Sequence, residues 1–197
     1  MATYHAIAAT SRAILGLLED ACPRSEFEKA EFKLFHASDF EKPMEEGISL
    51  LLYRVSVNGT LRNRPPRTMP NGMRYRPSLP LDLHYLLTAW ASDPEKQQRL
   101  LGWSMRALED TPILPAGILH RYINTPDTFR SDEAVELICD TLSVQDLATL
   151  WDKLKPKYQT SVTYVARMIT IDSTIKLTEA DLVQTRAFGL GQKGGAS

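Results

Sequence analysis

Residues 79–91 read LPLDLHYLLTAWA. In an extended chain, successive side chains point to opposite faces. One face of this stretch carries Leu81, Leu83, Tyr85 and Leu87, and the other carries Asp82, His84, Leu86, Thr88 and Trp90. A two-residue period over this length is typical of a β-strand. The stretch therefore predicts a long strand, around which the other elements can be placed.

Two further stretches predict strands inside the same sheet. Residues 48–57 read ISLLLYRVSV, and residues 161–172 read SVTYVARMITID. Both carry apolar residues on the two faces of an extended chain, which is typical of strands that are covered on both sides. We therefore expect them in the middle of the sheet. Asn58 and Gly59 follow the first stretch, and this pair predicts a tight hairpin turn.

Three shorter stretches give weaker strand signals. Residues 27–35 place Phe32 and Leu34 at alternate positions, and residues 182–185 include Val183. Residues 135–139 also alternate, although a helical turn fits them as well. We expect residues 32–35 and 182–185 at the edges of the sheet, where unpaired backbone groups can accept a partner strand.

Three stretches predict amphipathic helices. The first places Tyr4, Ile7, Ala8, Ser11, Leu15 and Leu18 on one stripe and ends at Cys22 and Pro23. The second starts at the cap Ser92 with Pro94 and Glu95 in its first turn, and it buries Leu101, Met105 and Leu108. The third starts at the cap Ser143, carries Leu147, Leu150, Trp151 and Leu154, and ends at Lys155 and Pro156.

The predicted elements form one domain. The chain has 197 residues, of which 43% are hydrophobic and 24% are charged, as in ordinary globular proteins. We expect a single α/β (α+β) domain over residues 1–188, with a mixed, mostly antiparallel sheet flanked by about three helices. Residues 189–197 are rich in glycine, which predicts a flexible tail.

Charge and hydropathy exclude several classes of partner. The 23 basic and 24 acidic side chains nearly cancel, so a broadly cationic surface for nucleic acid is not expected. No apolar run approaches the ~18 residues of a membrane span. The amino-terminal stretch lacks a basic start and is interrupted by Arg12, so we predict no signal peptide and synthesis in the cytoplasm. Cys22 and Cys139 fit no metal or redox spacing and are expected to be reduced.

Residues 60–80 form an excursion of unusual composition. It contains Pro65, Pro66, Pro70, Pro77 and Pro80 together with Arg62, Arg64, Arg67, Arg74 and Arg76. No acidic residue occurs between positions 47 and 81. Two interpretations remain open: a solvated loop without regular structure, or a basic arm that binds an acidic partner. Nucleic-acid binding is disfavoured because Tyr75 is the excursion's single aromatic side chain.

The residues give little support for catalysis. Asp82 and His84 share one face of a predicted strand and could pair, but no serine or cysteine elbow lies near them in the sequence. A G-x-G-x-x-G match at residues 189–194 lacks the helix that would have to follow it. We therefore predict no catalytic, cofactor-binding or metal-binding residue, and a small hydrolase using Asp82 and His84 stays a distant alternative.

Several stretches together resemble a known family. They are Leu52-Tyr53 followed by Asn58 and Leu61-Arg62-Asn63, then residues 79–91, LLGWSMRALEDTPIL at residues 100–114, Leu150-Trp151, and residues 161–172. Their order and spacing are similar to those of the cap, or tail-terminator, proteins of phage-tail-like extracellular contractile injection systems. The resemblance covers most of residues 5–185. It implies a fold like that of phage tail terminators.

The resemblance also implies a structural role. Such proteins form a ring, usually sixfold, at the distal end of the inner tube, stop its polymerisation and bind the last sheath ring, commonly by strand exchange or augmentation. The expected partners are further copies of the chain, the inner tube protein and the sheath protein, within a particle that is cytoplasmic or released.

The chain is shorter than the family's longer members, so an adaptor layer that contacts a second cap protein is the alternative. Neither a nucleic acid nor a membrane is an expected partner, and no cofactor is expected. The interface candidates are Arg62, Asn63, Arg67, Arg74, Arg76, His84, Trp90 and Val183.

Overall fold

The computed structural model describes residues 2–123, 128–154 and 158–177. Within these ranges there are four α-helices: α1 (Ala6–Ala21), α2 (Pro94–Glu109), α3 (Ala116–Arg121) and α4 (Val144–Leu154). The strands are β1 (Glu31–Leu34), β2 (Gly47–Val57), β3 (Arg67–Thr68), β4 (Arg74–Tyr75), β5 (Leu79–Trp90), β6 (Ile113–Pro115), β7 (Ala134–Cys139) and β8 (Ser161–Ile171). A short 3₁₀ helix, Ala37–Glu41, lies between β1 and β2.

Six strands form one sheet in the order β1-β2-β5-β8-β7-β6. β1 and β2 are parallel, and the other neighbouring pairs are antiparallel. The prediction of a mixed, mostly antiparallel sheet is therefore confirmed, as are the inner positions of β2 and β8. β5 lies between them, and β1 occupies one edge as expected, whereas β6 forms the edge that the sequence did not reveal.

Both faces of β5 are buried, as its alternating pattern predicts. Leu83, Tyr85 and Leu87 point into the larger core, which α1, α2 and α3 cover. Leu86 and Trp90 point into a smaller core on the opposite face, together with Phe35, Phe40, Leu51, Trp151 and Leu154. The 3₁₀ helix and α4 close this second core. β5 is therefore shared by the two hydrophobic layers of the domain.

The three predicted helices are present, with local differences. Asp93 caps α2 in place of Ser92, because its carboxylate accepts the Lys96 N–H at 2.7 Å. α2 buries Leu100, Ser104 and Leu108, so burial of Leu108 is confirmed, whereas Leu100 and Ser104 take the places predicted for Leu101 and Met105. Tyr4 precedes α1 and is 72% exposed, so it is not part of the core. Ser143 caps α4 as predicted by accepting the Asp146 N–H at 3.1 Å.

The hairpin predicted at Asn58 and Gly59 is wrong. β2 and β5 are antiparallel neighbours, but 21 residues separate them, and β3 and β4 form a small hairpin within this excursion. The interpretation of the excursion as a loop without regular structure is therefore also wrong. Asn58 is instead buried, and its side-chain amide donates to the Asp82 carboxylate while Oδ1 accepts the Leu61 N–H.

The remaining predictions concern residues 135–139, the two cysteines, the carboxyl-terminal segment and membrane spans. Residues 135–139 belong to β7, so the strand and not the helical turn is correct. Cys22 and Cys139 are both free. The strand predicted at 182–185, the end of the domain at 188 and the tail at 189–197 lie outside the described residues. None of the described helices is long and apolar enough to cross a membrane.

Candidate interaction surfaces

The excursion between β2 and β5 is anchored to the sheet through Asp172. The Asp172 side chain is fully buried and pairs with Arg67 at 3.6 Å and with Arg130 at 3.3 Å. It also accepts a hydrogen bond from the Ser78 hydroxyl at 2.5 Å and from the Ala2 N–H at 3.1 Å. A buried carboxylate is costly unless it is paired and hydrogen-bonded, and here it has four partners. The base of the excursion is therefore fixed.

The hairpin of the excursion packs on the segment that follows β8. The Arg67 guanidinium lies 5.0 Å from the centre of the Tyr75 ring, within the range of a cation–π contact. Tyr75 forms a β-bridge with Lys176, and the Arg76 N–H donates to the Ile175 carbonyl at 3.0 Å. The Arg67 side chain is 15% exposed. Arg67 therefore stabilises the hairpin and has little surface to offer a partner.

The other candidates in the excursion are accessible. Arg62, Asn63, Arg74 and Arg76 are exposed, as is Arg64 beside them. Arg62, Arg64 and Arg76 form no ion pair with another described residue. They lie in an excursion that is anchored to the sheet and contains a short hairpin, so the loop without regular structure is wrong, and binding of an acidic partner stays a prediction. It is an ordered, basic projection.

His84 has different partners from the one predicted. Its Nε2 atom lies 3.0 Å from the Ser56 hydroxyl, and its Nδ1 atom lies 3.9 Å from the Asp140 carboxylate. Asp82 is bound to Asn58 instead, so the predicted pair of Asp82 and His84 is wrong. Burial lowers the pKa of His84 below its ordinary value, and the positive charge of Arg54 lowers it further, while Asp140 and Asp82 oppose this shift.

The arrangement around His84 does not favour nucleophilic catalysis. A distance of 3.9 Å is too long for a hydrogen bond, so Asp140 does not orient the imidazole as a triad carboxylate would. Ser56 lies within the regular strand β2 and not on a strand-to-helix elbow that would expose its hydroxyl to a substrate. Ser56 on β2 and His84 on β5 therefore form a half-buried polar pair across two neighbouring strands.

Two interface candidates, Trp90 and Val183, are not among the exposed residues that the structure describes. Trp90 is 6% exposed, and its indole N–H donates to the Ser49 hydroxyl at 2.8 Å. Its ring contacts Phe35 and Phe40 in the smaller core. Trp90 is thus a core residue of the chain. Val183 lies outside the described residues.

The sequence did not reveal a gap at the sheet edge beside β2. β1 pairs with β2 from Gly47 to Leu50, and the last backbone bond runs from the Phe35 N–H to the Leu50 carbonyl. The outer side of residues 51–57, here called the β2 overhang, has no strand partner among the described residues. Sequence reasoning missed it because residues 27–35 and 48–57 predict strands of similar length, whereas β1 has four residues and β2 has 11.

The β2 overhang turns backbone groups outward. Asn58 donates its N–H to the Pro80 carbonyl, so its backbone faces β5. Along an antiparallel strand, alternate residues turn their N–H and C=O groups to opposite sides. Val57 and Val55 therefore present theirs to the open edge, and their side chains are 45% and 46% exposed.

An apolar groove lies beside this edge. It has a volume of about 680 Å³ and is lined largely by apolar side chains, including Ile7, Leu34, Leu52, Tyr53 and Leu150. An exposed strand edge next to an apolar groove is the arrangement used in β-strand addition, where backbone bonds supply affinity and side-chain pockets supply specificity.

Comparison with known proteins identifies the family of the chain and its fold. The family model of the Pvc16 N-terminal domain matches residues 9–185. The chain belongs to this family. All eight interface candidates, including Val183, lie within the matched region. No curated protein matches the chain.

Two solved structures have the same fold as this Pvc16 N-terminal domain. One is the sheath/tube terminator of PVC, an extracellular contractile injection system, in its extended state; it has 16% sequence identity and a TM-score of 0.57 over 97% of this chain. The other is the tube-terminating cap of the anti-feeding prophage, with 16% identity and a TM-score of 0.55 over 93% of this chain. The chain spans 65% and 60% of the length of these two proteins. The family resemblance and the terminator-like fold expected from the sequence are confirmed.

Proposed function

We propose that this chain is a structural cap, or tail terminator, of a contractile injection system. It forms a ring at the distal end of the inner tube and sheath, ends polymerisation and anchors the sheath. Membership of the Pvc16 N-terminal domain family and the fold shared with two solved cap proteins support this proposal. The chain is made in the cytoplasm and becomes part of a particle that stays there or is released.

The observation that carries the proposal is the β2 overhang beside the apolar groove. A sheath subunit must be held at a defined register, and addition of a strand to an existing sheet fixes register through repeated backbone bonds. Val55 and Val57 supply outward-facing backbone groups for such a strand, and the groove accepts apolar side chains from it. The proposed occupant of this edge is a strand of the sheath protein.

A cryo-EM map of intact particles that contain this chain tests the proposal. We expect a closed ring of the chain on the last ring of tube subunits, with the sixfold symmetry that the family resemblance implies. We also expect sheath density along the β2 overhang. A map that places the chain in the baseplate, or that lacks it, contradicts the proposal.

The same map distinguishes the alternative role of an adaptor layer. In that role the ring contacts tube or sheath on one side and a second cap protein on the other. Additional density of another protein beyond the ring supports the adaptor, whereas a free outer face supports the terminal cap.

We also propose that the chain acts without catalysis. The pairing of Asp82 with Asn58 removes the carboxylate that the hydrolase alternative required. Variants Asp82→Asn and His84→Gln are expected to enter particles. If the unsubstituted chain had a hydrolytic activity that both variants lacked, the enzyme alternative would be restored.

A further inference from the structure

The β2 overhang has an apolar face. Val55 pairs with Leu83 of β5, and both side chains lie on one face of the sheet because they are directly opposite in an antiparallel pair. Val57 pairs with Leu81 in the same way. Leu81 and Leu83 belong to the larger core, whereas Val55 and Val57 are 46% and 45% exposed. This face of the overhang therefore offers two apolar side chains to a neighbouring strand.

The opposite face of the overhang carries a positive charge. Arg54 and Ser56 alternate with the two valines and lie on this face. Arg54 is the one charged side chain of β2, and it is exposed. It forms no ion pair with another described residue, whereas the Ser56 hydroxyl is hydrogen-bonded to His84 at 3.0 Å. The charge at the free edge is therefore open to a counter-charge from outside.

Two acidic side chains near this face lie outside the edge strand. Asp82 is on β5, and both of its carboxylate oxygens accept the Asn58 amide at 3.1 Å. Asp140 follows β7 and lies 3.9 Å from His84. Residues 47–81 contain no acidic side chain. The edge strand itself therefore favours a neighbour that brings a negative charge, because opposite charges on adjacent strands attract.

The groove beside the β2 overhang covers both faces of an added strand. α1 contributes Ile7 and Ala8 to its lining on the side of the larger core. α4 contributes Leu150 and Leu154 on the side of the smaller core. No aspartate, glutamate, lysine or arginine lines the groove. A strand that runs along residues 51–53 is therefore expected to be apolar on both faces.

We propose that the sheath strand taken up by the β2 overhang is apolar on both faces within the groove and alternates between apolar and acidic residues beyond it. The apolar residues lie beside Val55 and Val57, and an acidic residue lies beside Arg54. This inference rests on the cap role proposed above and specifies the partner of the same edge. Because a shift by one residue exchanges the two faces of a strand, the pattern also fixes the register of the partner.

Synthetic peptides test the pattern on the purified chain, without particles. The probe is the dye-labelled peptide acetyl-Leu-Val-Leu-Glu-Val-Glu-Val-amide, and its matched control carries lysine in place of both glutamates. Fluorescence anisotropy measures the binding of each peptide to the unsubstituted chain and to Arg54→Glu. We expect Arg54→Glu to weaken binding of the glutamate peptide about fivefold and to strengthen binding of the lysine peptide by a similar factor.

The exchange of charges makes the outcome decisive. A preference for the glutamate peptide that reverses in Arg54→Glu supports the pairing with Arg54. Unchanged binding of both peptides overturns it, as does a glutamate peptide that fails to bind the unsubstituted chain at about 1 mM. Arg64→Glu is the control variant, because Arg64 is exposed but lies outside β2. Equal losses in Arg54→Glu and Arg64→Glu would assign the acidic residue to the excursion and overturn the inference.

Amide hydrogen exchange locates the bound peptide. Val55 and Val57 turn their N–H groups to the open edge, so an added strand should slow their exchange. The Ser56 N–H faces β5 and should change less. Binding of the glutamate peptide without slower exchange at either valine would place it elsewhere on the chain and overturn the inference.

Particles test the natural occupant of the edge. A photoreactive p-benzoylphenylalanine in place of Val57 should form an adduct with a sheath segment that has the alternating apolar and acidic pattern. An adduct with a sheath segment without this pattern, with a second copy or with the tube protein overturns the inference, as does the absence of an adduct when the chain occupies the tube end. If the chain is absent from particles, the cap proposal fails, and the peptide measurements still decide the pattern.

Discussion

At the scale of single residues, Asp172 joins parts of the chain that are far apart in sequence. Its buried carboxylate binds Ala2, Ser78, Arg67 and Arg130. Each of these partners compensates part of the cost of removing the carboxylate from water, so losing the carboxylate leaves buried partners unpaired. The same residue fixes the base of the excursion, so local stability and the placement of the basic projection depend on one side chain.

Asp172→Asn tests this role. The neutral amide leaves the largely buried Arg67 without an ion-pair partner among the described residues, whereas Arg130 keeps Asp132 and Glu133, so we expect the free energy of unfolding to fall by about 3 kcal/mol. Asp132→Asn is the control, because Asp132 also pairs with Arg130 but is 77% exposed. That change should stay within about 0.5 kcal/mol in the same urea titration. Equal effects of the two substitutions would show that burial of Asp172 is unimportant.

His84 gives the fold a defined dependence on pH. Its pKa is lowered in the folded state by burial and by Arg54. Protonation therefore favours the unfolded chain, and the stability due to neutral His84 is lost as the pH falls below the ordinary value of 6.5. We expect the stability advantage over His84→Gln to shrink between about pH 7.5 and about pH 5.5. Urea titrations of both proteins measure it, and an advantage that grows on acidification contradicts the assignment.

At the scale of elements, two glycines distinguish a tightly packed helix face in α1 from an open helix face in α2. A Cβ atom on Gly16 in α1 would lie 2.2 Å from the Tyr122 ring, whereas one on Gly102 in α2 would meet nothing within 4 Å. The Tyr122 hydroxyl donates to Asp20 at 2.8 Å, which holds the ring against α1. The close approach of α1 to the segment after α3 therefore depends on the missing side chain.

The same substitution at these two glycines should have opposite effects. Gly16→Ala is expected to destabilise the fold by about 1–3 kcal/mol because the ring must move. Gly102→Ala should stabilise it by about 1 kcal/mol because alanine favours the helix. Thermal unfolding monitored by circular dichroism measures both. Stabilisation by Gly16→Ala would mean that the Tyr122 ring moves aside freely.

The β2 overhang is tested by a change in its backbone. Val55→Pro removes an outward N–H while leaving the bonds between β2 and β5 in place, so the isolated domain should fold. Incorporation into particles should fall at least tenfold if a partner strand uses this donor. Val55→Ile keeps the N–H and is the control. Normal incorporation of the proline variant, measured by quantitative blotting of purified particles, would assign attachment to side chains instead.

Sequence patterns predicted the long strands and helices because these elements bury regular stripes of their own residues. β2, β5 and β8 carry enough apolar residues on both faces to indicate their inner positions. α3 and β6 have six and three residues, too few to show a period. The interaction surfaces were harder to predict from the sequence. Asp82 binds Asn58 because the chain after β2 buries Asn58 beside it. The β2 overhang exists because β1 ends after four residues.

At the scale of the whole molecule, β5 couples the two cores. Its side chains pack into both hydrophobic layers. Unfolding of one layer would therefore displace a strand on which the other layer packs. We expect one cooperative unfolding transition. Trp103 packs against the larger core, so in a Trp103→Phe variant the fluorescence of Trp90 and Trp151 reports the smaller core, and far-UV circular dichroism reports the whole fold. Two separate transitions would show that the layers unfold independently.

The position of β8 in the sheet has a consequence for how the protein is made. β8 is the last strand of the described chain in sequence, yet it lies between β5 and β7, and Leu79 pairs with Ile171. While residues 161–171 are still inside the ribosome, β5 of the emerging chain therefore has a long edge of unpaired backbone groups. Such an edge invites pairing with other nascent chains. Cells that produce the protein in quantity should need a chaperone during the final stage of translation, and slower translation of the last third of the message should increase aggregation.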